Sequence, residues 1–159
     1  MSVDKEFLVS EKALVRKRIK YAMDAFYAEP SKKSLNAVFL EFTYAYIYNL
    51  TFIVPGNVSK KGIVIVPVFV PNIGDVFQAC TSPEDAAKCS GDSTFFVTIR
   101  GIFQYISDSP LQGMILDRFS EHKAYAFFNR ENIRRIEEIA LQSIDQRPED
   151  VKQFLLKEI

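Results

Sequence analysis

The stretch Asp75–Asp85, DVFQACTSPED, changes character in its middle. Residues 75–80, DVFQAC, predict a strand, and from Ser82 onward the residue types are those of a helix start. Ser82 fits an N-cap, Pro83 suits the first helical position, and Glu84 and Asp85 complement the positive end of a helix. Ser82 with Asp85 resembles a capping box, and Gly91 ends the short helix that follows. A strand that passes directly into a capped helix is a fold signal. The same stretch also raises a chemical question, because Cys80 stands beside Thr81 and Ser82.

Before this stretch the chain reads as two helices and then strands. Residues 5–27 carry Leu8, Val15, Ile19, Ala22, Met23 and Phe26 at helical spacing. Lys12, Arg16 and Lys20 form a basic stripe on that helix. EPSKKS, residues 29–34, breaks it, since Pro30 cannot continue a helix and Ser31 or Ser34 can cap the next. That next helix, residues 34–47, has Leu35, Val38, Phe39, Phe42 and Tyr46 on one face. LTFIVP predicts a strand stopped by the turn pair Pro55–Gly56, and GNVSKKG a loop. IVIVPVFV predicts one strand covered on both faces, with Pro67 at a bulge or an edge. DVFQAC is its expected hairpin partner.

After it, TFFVTI, QGMILD and AYAFF predict further strands, and RGIFQYIS one to two helical turns. RFSEHK reads as a polar turn. NRENIRRIEEIALQSI is an amphipathic helix that Asn129 can cap, and PEDVKQFLLKEI a final one. Helices at both ends of a β-rich middle predict an α+β fold. Its expected centre is a mixed or antiparallel sheet of five to six strands, packed with N- and C-terminal helices.

Composition narrows the function classes. Of 159 residues, 48% are hydrophobic and 25% charged, which suits one globular domain, 1–159. Lys+Arg and Asp+Glu are balanced at 20 each, so the basic excess of a nucleic-acid binder is missing. No apolar run approaches the length of a membrane helix, and the charged N-terminus does not resemble a signal peptide. The expected setting is therefore the cytoplasm, with neither nucleic acid nor membrane as partner.

No catalytic constellation emerges, so no catalytic, cofactor-binding or metal-binding residue is assigned and no cofactor is expected. Cys80 lies ahead of a helix start, which favours a thiolate, but Glu84 and Asp85 occupy the same helix end and oppose it. Cys80 and Cys89 have the spacing of neither a zinc ribbon nor a C-x-x-C pair, and both read as small buried apolar residues. The single histidine, His122, falls in a turn. Asp108, Asp117 and Glu121 lie in or beside loops from which they could converge.

The order LTFIVP, VIVPVFV, DVFQACTSPEDA, FFVTIRGIFQYI and AYAFFNRENIRRI resembles the N-terminal domain of the SseB (enhanced serine sensitivity) family. Val54–Pro55, Pro67–Val68–Phe69, Cys80–Thr81–Ser82 and Phe128–Asn129 carry the likeness. Cys80 stands where the family has Phe, and Arg130 where Pro is common. The resemblance covers roughly residues 34–140. It implies an SseB-like α+β core at 31–141, between an N-terminal helix in 1–30 and a C-terminal helix in 142–159, and it brings no enzymatic mechanism. The expected function is a non-catalytic protein-interaction or regulatory module of the bacterial cytoplasm, with an unknown protein partner or a second copy of itself. Its expected surface comprises Lys12, Arg16 and Lys20 on the first helix and Phe154 and Leu155, flanked by Val151 and Ile159, on the last. The alternatives are a small-molecule sensor and a cysteine-dependent enzyme or redox protein using Cys80.

Overall fold

A computed structural model describes residues 5–118 and 125–157. The class is α+β, with helices at both ends, and the chain forms two compact units. One comprises Met1–Leu50 with Arg134–Ile159, the other Thr51–Ile133.

The first unit is helical. Helices α1 (Lys5–Ala28) and α2 (Lys32–Ile47) form a hairpin. Val15, Ile19, Met23 and Phe26 make the buried stripe of α1, and Val38 and Phe42 are wholly buried on α2. Both serines of the connection act in one cap: Ser31 Oγ accepts from Ser34 N at 3.0 Å, and Ser34 Oγ accepts from Ser31 N at 2.9 Å. Arg18 ties the two helices by a 2.8 Å ion pair to Glu41 and by lying 4.6 Å from the centre of the Tyr44 ring. Helices α5 (Arg130–Asp145) and α6 (Glu149–Lys157) supply the rest, α5 beginning in the other unit. Asn129 caps α5 as expected: its Oδ1 accepts from Asn132 N at 2.7 Å, and Asn132 Oδ1 accepts from Asn129 N at 3.1 Å.

Among the described residues the second unit holds seven strands in two sheets, where a single sheet was expected. One sheet has the order β2-β1-β5, with β1 at Thr51–Ser59, β2 at Gly62–Ile65 and β5 at Ser93–Thr98. The other has the order β3-β4-β6-β7, with β3 at Val68–Val70, β4 at Gly74–Ala79, β6 at Gly113–Leu116 and β7 at Ala126–Asn129. All pairs are antiparallel except β4 with β6, so the strand arrangement is mixed.

Two prolines account for the departures. Pro67 divides IVIVPVFV, leaving β2 in one sheet and β3 in the other. Without an N–H it cannot continue a ladder, and the carbonyl just before it is bound instead by Gln78 Nε2 at 3.1 Å. Burial on both faces does not occur in β2, whose Ile63 and Val64 are exposed. Pro55, by contrast, does not stop β1, which runs on to Ser59. Ile53 N bonds to Cys80 O, so by strand alternation the nitrogen of Pro55 points to that same side, away from β5. There β2 has not yet begun, since its register starts at Gly56, and no ladder bond is lost.

In the four-stranded sheet the central strand β6 is buried on both faces. Val76 and Ile115 share one face with Val70 and Phe127, while Phe77, Met114 and Phe128 are wholly buried on the other. Helix α4 (Ile99–Ser107) is longer than expected and meets that second face through Tyr105, whose ring is 5.6 Å from Phe77. Carbonyls of its last turn and of the residues just after it converge on Arg130. Arg130 Nη1 donates to Ile106 O at 2.8 Å, Ser109 O at 3.0 Å and Leu111 O at 2.6 Å, and Nη2 donates to Ser107 O at 3.2 Å. One guanidinium thus caps a helix that has no glycine at its end.

Arg130→Ala leaves these carbonyls without that donor and is expected to lower stability by ~1–3 kcal/mol. Arg130→Lys is expected to recover only part of the loss, because a point charge cannot span four carbonyls. Urea denaturation of the three proteins measures this, and an alanine variant as stable as the parent would refute the role.

Candidate functional site

The parallel pairing of β4 with β6 places the C-terminal ends of both strands side by side, with Ala79 opposite Leu116. The next residues form a polar cluster. Asp117 N donates to Ala79 O at 3.0 Å, and the Asp117 backbone turns left-handed, at φ 55°. The turn brings the carboxylate onto Thr81: Oδ1 accepts from Thr81 N at 2.8 Å and Oδ2 from Thr81 Oγ1 at 2.7 Å. Asp117 is buried, and removal from water raises its pKa to about 6 against the pull of the two Thr81 bonds. Asp85 adds to the rise through its own negative charge.

Cys80 is held from the other side. Its N–H and C=O form a reciprocal bridge with Ile53 at 2.8 and 3.0 Å, which joins the two sheets. Helix α3 (Pro83–Ala87) follows, capped by Ser82 Oγ accepting from Asp85 N at 3.2 Å. Cys89 comes after this helix, beyond its C-cap Lys88, and its Sγ lies 3.7 Å from Cys80 Sγ. The Cys89 thiol also reaches Asp85 O at 3.6 Å. The two sulfurs differ: Cys80 is buried and Cys89 half-buried. A hydrogen bond to Cys89 and burial push the Cys80 thiol far up, whereas accepting that bond draws the Cys89 thiol down.

Gly91 makes the approach possible. At φ 128° its backbone lies so close to Gly56 that a Cβ would stand 2.9 Å from Gly56 O. The loop is further tied to β1 by Asp92, whose N–H donates to Asn57 Oδ1 at 2.9 Å and whose Oδ1 accepts from Val58 N at 3.2 Å.

The sequence directs attention to Cys80 and away from Cys89; the structure makes Cys89 the accessible sulfur of a pair. Thr81 and Asp117 carry no sequence signal for their contact, because it depends on a parallel pairing across 36 positions. Two of the acids have defined partners: Asp117 binds Thr81, and Asp108 accepts from Gln104 Nε2 at 2.9 Å. Glu121, His122 and Ile159 lie outside the described residues. Among the described residues no group of three His, Cys, Asp or Glu could hold a metal ion, and no helix is long and apolar enough to cross a membrane.

The expected interaction residues are only partly at the surface. Arg16 and Lys20 are exposed and Lys12 is half-buried. Phe154 is half-buried, and Leu155 is wholly buried, so Leu155 does not belong to an outer surface. The exposed apolar residue of that helix is its neighbour Leu156.

Asp117 gives the cluster a pH signature. Its folded pKa of about 6 exceeds the ordinary 3.8, so the native chain holds this proton more tightly than the unfolded chain. The contribution is therefore largest below the ordinary value, falls as pH rises toward about 6, and is level above. Asp117→Asn is expected to abolish that fall, on the order of 2–3 kcal/mol, in urea denaturation between about pH 4 and pH 7. An unchanged slope in the variant would rule Asp117 out as its source. Comparison with protein families, curated proteins and solved structures finds nothing that matches this chain.

Proposed function

We propose that this chain is a non-catalytic protein-interaction module, of SseB-like type and working in the bacterial cytoplasm, whose docking surface is the α5–α6 hairpin and whose first partner is a second copy of the chain. One observation carries the reading. Leu141 and Ile144 on α5 and Leu156 on α6 line an open groove of ≈ 360 Å³ with Gln142, Asp145 and Lys152. Leu141 and Leu156 are 47% and 45% exposed, more apolar surface than a solvated hairpin needs.

The groove has a defined shape. Lys152 Nζ lies 2.6 Å from Asp145 Oδ1, a pairing that bridges the two helices and holds the Asp145 carboxyl below its ordinary range. Around a two-fold axis the leucines of each copy would enter the groove of the other, since such an interface is made of the same patch twice. The pairing buries four half-exposed leucines with a polar rim, the anatomy of a non-obligate interface.

Sedimentation equilibrium of the full chain is expected to show a mass that rises with concentration toward the dimer, and Leu156→Asp to return it to the monomer. A strict monomer at the highest soluble concentration overturns the self-pairing. Association that persists unchanged in Leu156→Asp and in Leu141→Asp overturns the groove as its site.

A further inference from the structure

We propose that Cys80 and Cys89 form a reversible disulfide, with Cys89 the sulfur that meets the oxidant and Cys80 the one that resolves it. The pair is nine residues apart in sequence and 3.7 Å apart at sulfur, so closing to the ~2.05 Å of a disulfide requires a contraction of roughly 1.7 Å. The movement falls on one side. Cys80 is fixed by its two bonds to Ile53, while Cys89 sits past the end of α3 in a segment without regular structure.

Access is equally one-sided. Cys89 lines an open cleft of ≈ 240 Å³ with Pro55, Ala86, Ser90, Gly91 and Thr94, and Cys80 is not part of that lining. A small oxidant entering the cleft therefore meets Cys89 first. The hydrogen bond from Cys80 favours thiolate at Cys89, the reactive form.

A hydroperoxide is the oxidant class that suits a cleft of this size. The Cys89 thiolate attacks one peroxide oxygen, forming an S–O bond as the O–O bond breaks, and the departing alkoxide or hydroxide takes up a proton. The product is a Cys89 sulfenic acid. The Cys80 thiol then attacks the Cys89 sulfur, its proton leaving with the expelled hydroxide as water. Two thiols and one hydroperoxide become one disulfide, one alcohol or water, and one further water. The two sulfurs supply the two electrons that the peroxide gains. A dithiol reverses the change by exchange. The bond would tie the segment after α3 to the residue that joins the two sheets, independently of any pairing at the α5–α6 groove.

Trypsin cleaves at Lys88, between the two cysteines, so the reduced chain yields peptides 62–88 and 89–100 separately. The full chain is treated with hydrogen peroxide under native conditions, blocked with iodoacetamide and digested. The expected result is one species joining peptides 62–88 and 89–100, lighter than their sum by two hydrogens, present in monomeric chains and lost on adding dithiothreitol. In Cys80→Ser the link is expected to vanish and a sulfenic acid at Cys89 to be trapped by dimedone. Both cysteines alkylated after treatment, Cys89 over-oxidised beside a free Cys80, or a link only between chains would each overturn the proposal. The parent protein alone decides these outcomes if the serine variant fails to fold.

Discussion

Two hydrogen bonds, Cys80 N to Ile53 O and Ile53 N to Cys80 O, join the two sheets of the β-rich unit. Among the described residues, the three-stranded and four-stranded sheets share no other isolated bridge. The bridge exists because β1 offers a free side there. Its pairing with β2 is confined to Gly56–Ser59, and Pro55 adds no N–H next to Ile53. A buried N–H or C=O at this point would otherwise lack a partner, which is costly. Cys80 thus has a backbone task that constrains its position before any property of its thiol is considered.

From that anchor the polar cluster follows by short steps. Cys80 directly follows β4, Thr81 turns toward the end of β6, and Ser82 caps the start of α3. Parallel strands place their C-terminal ends together, so Asp117 reaches Thr81 with both carboxylate oxygens. The same acid, with Asp85, presents negative charge to both sulfurs and raises the cost of a thiolate at either. The carboxylates therefore oppose a thiolate at both sulfurs, and at Cys89 the bond from Cys80 outweighs them. Only the hydrogen bond between the sulfurs works in the other direction, and it works for Cys89 alone.

Local chemistry was readable in the residues; long-range consequence was not. Ser31 with Ser34, Ser82 with Pro83, and Asn129 all cap where their types and spacing indicate, because a cap needs only the next three residues. The stripe Val15, Ile19, Met23 and Phe26 and the strands around Phe77, Met114 and Phe128 follow from periodicity for the same reason. Pro55 and Pro67 could not be resolved locally. One continues a strand and the other divides one, and the difference lies in which neighbouring edge is occupied. The nearness of Cys89 to Cys80 depends on Gly91 lying against Gly56, and that of Thr81 to Asp117 on a parallel register. Leu155 and Leu156 were separable only once the helix rotation was set, since adjacent residues differ by about 100° around the axis.

Strand β2 is the outermost strand of its sheet and carries Ile63, Val64 and Ile65 without a charge among them. Such a strand is a template on which another extended chain can pair. Here the template is short and closed at both ends. Lys60 and Lys61 stand at the tip of the hairpin before it, and Pro67 follows within two residues of its end. A strand arriving from another molecule would find four residues of ladder, then charge in one direction and a missing N–H in the other. The residue that sends the chain from one sheet to the next is thus also a gatekeeper against edge-to-edge growth.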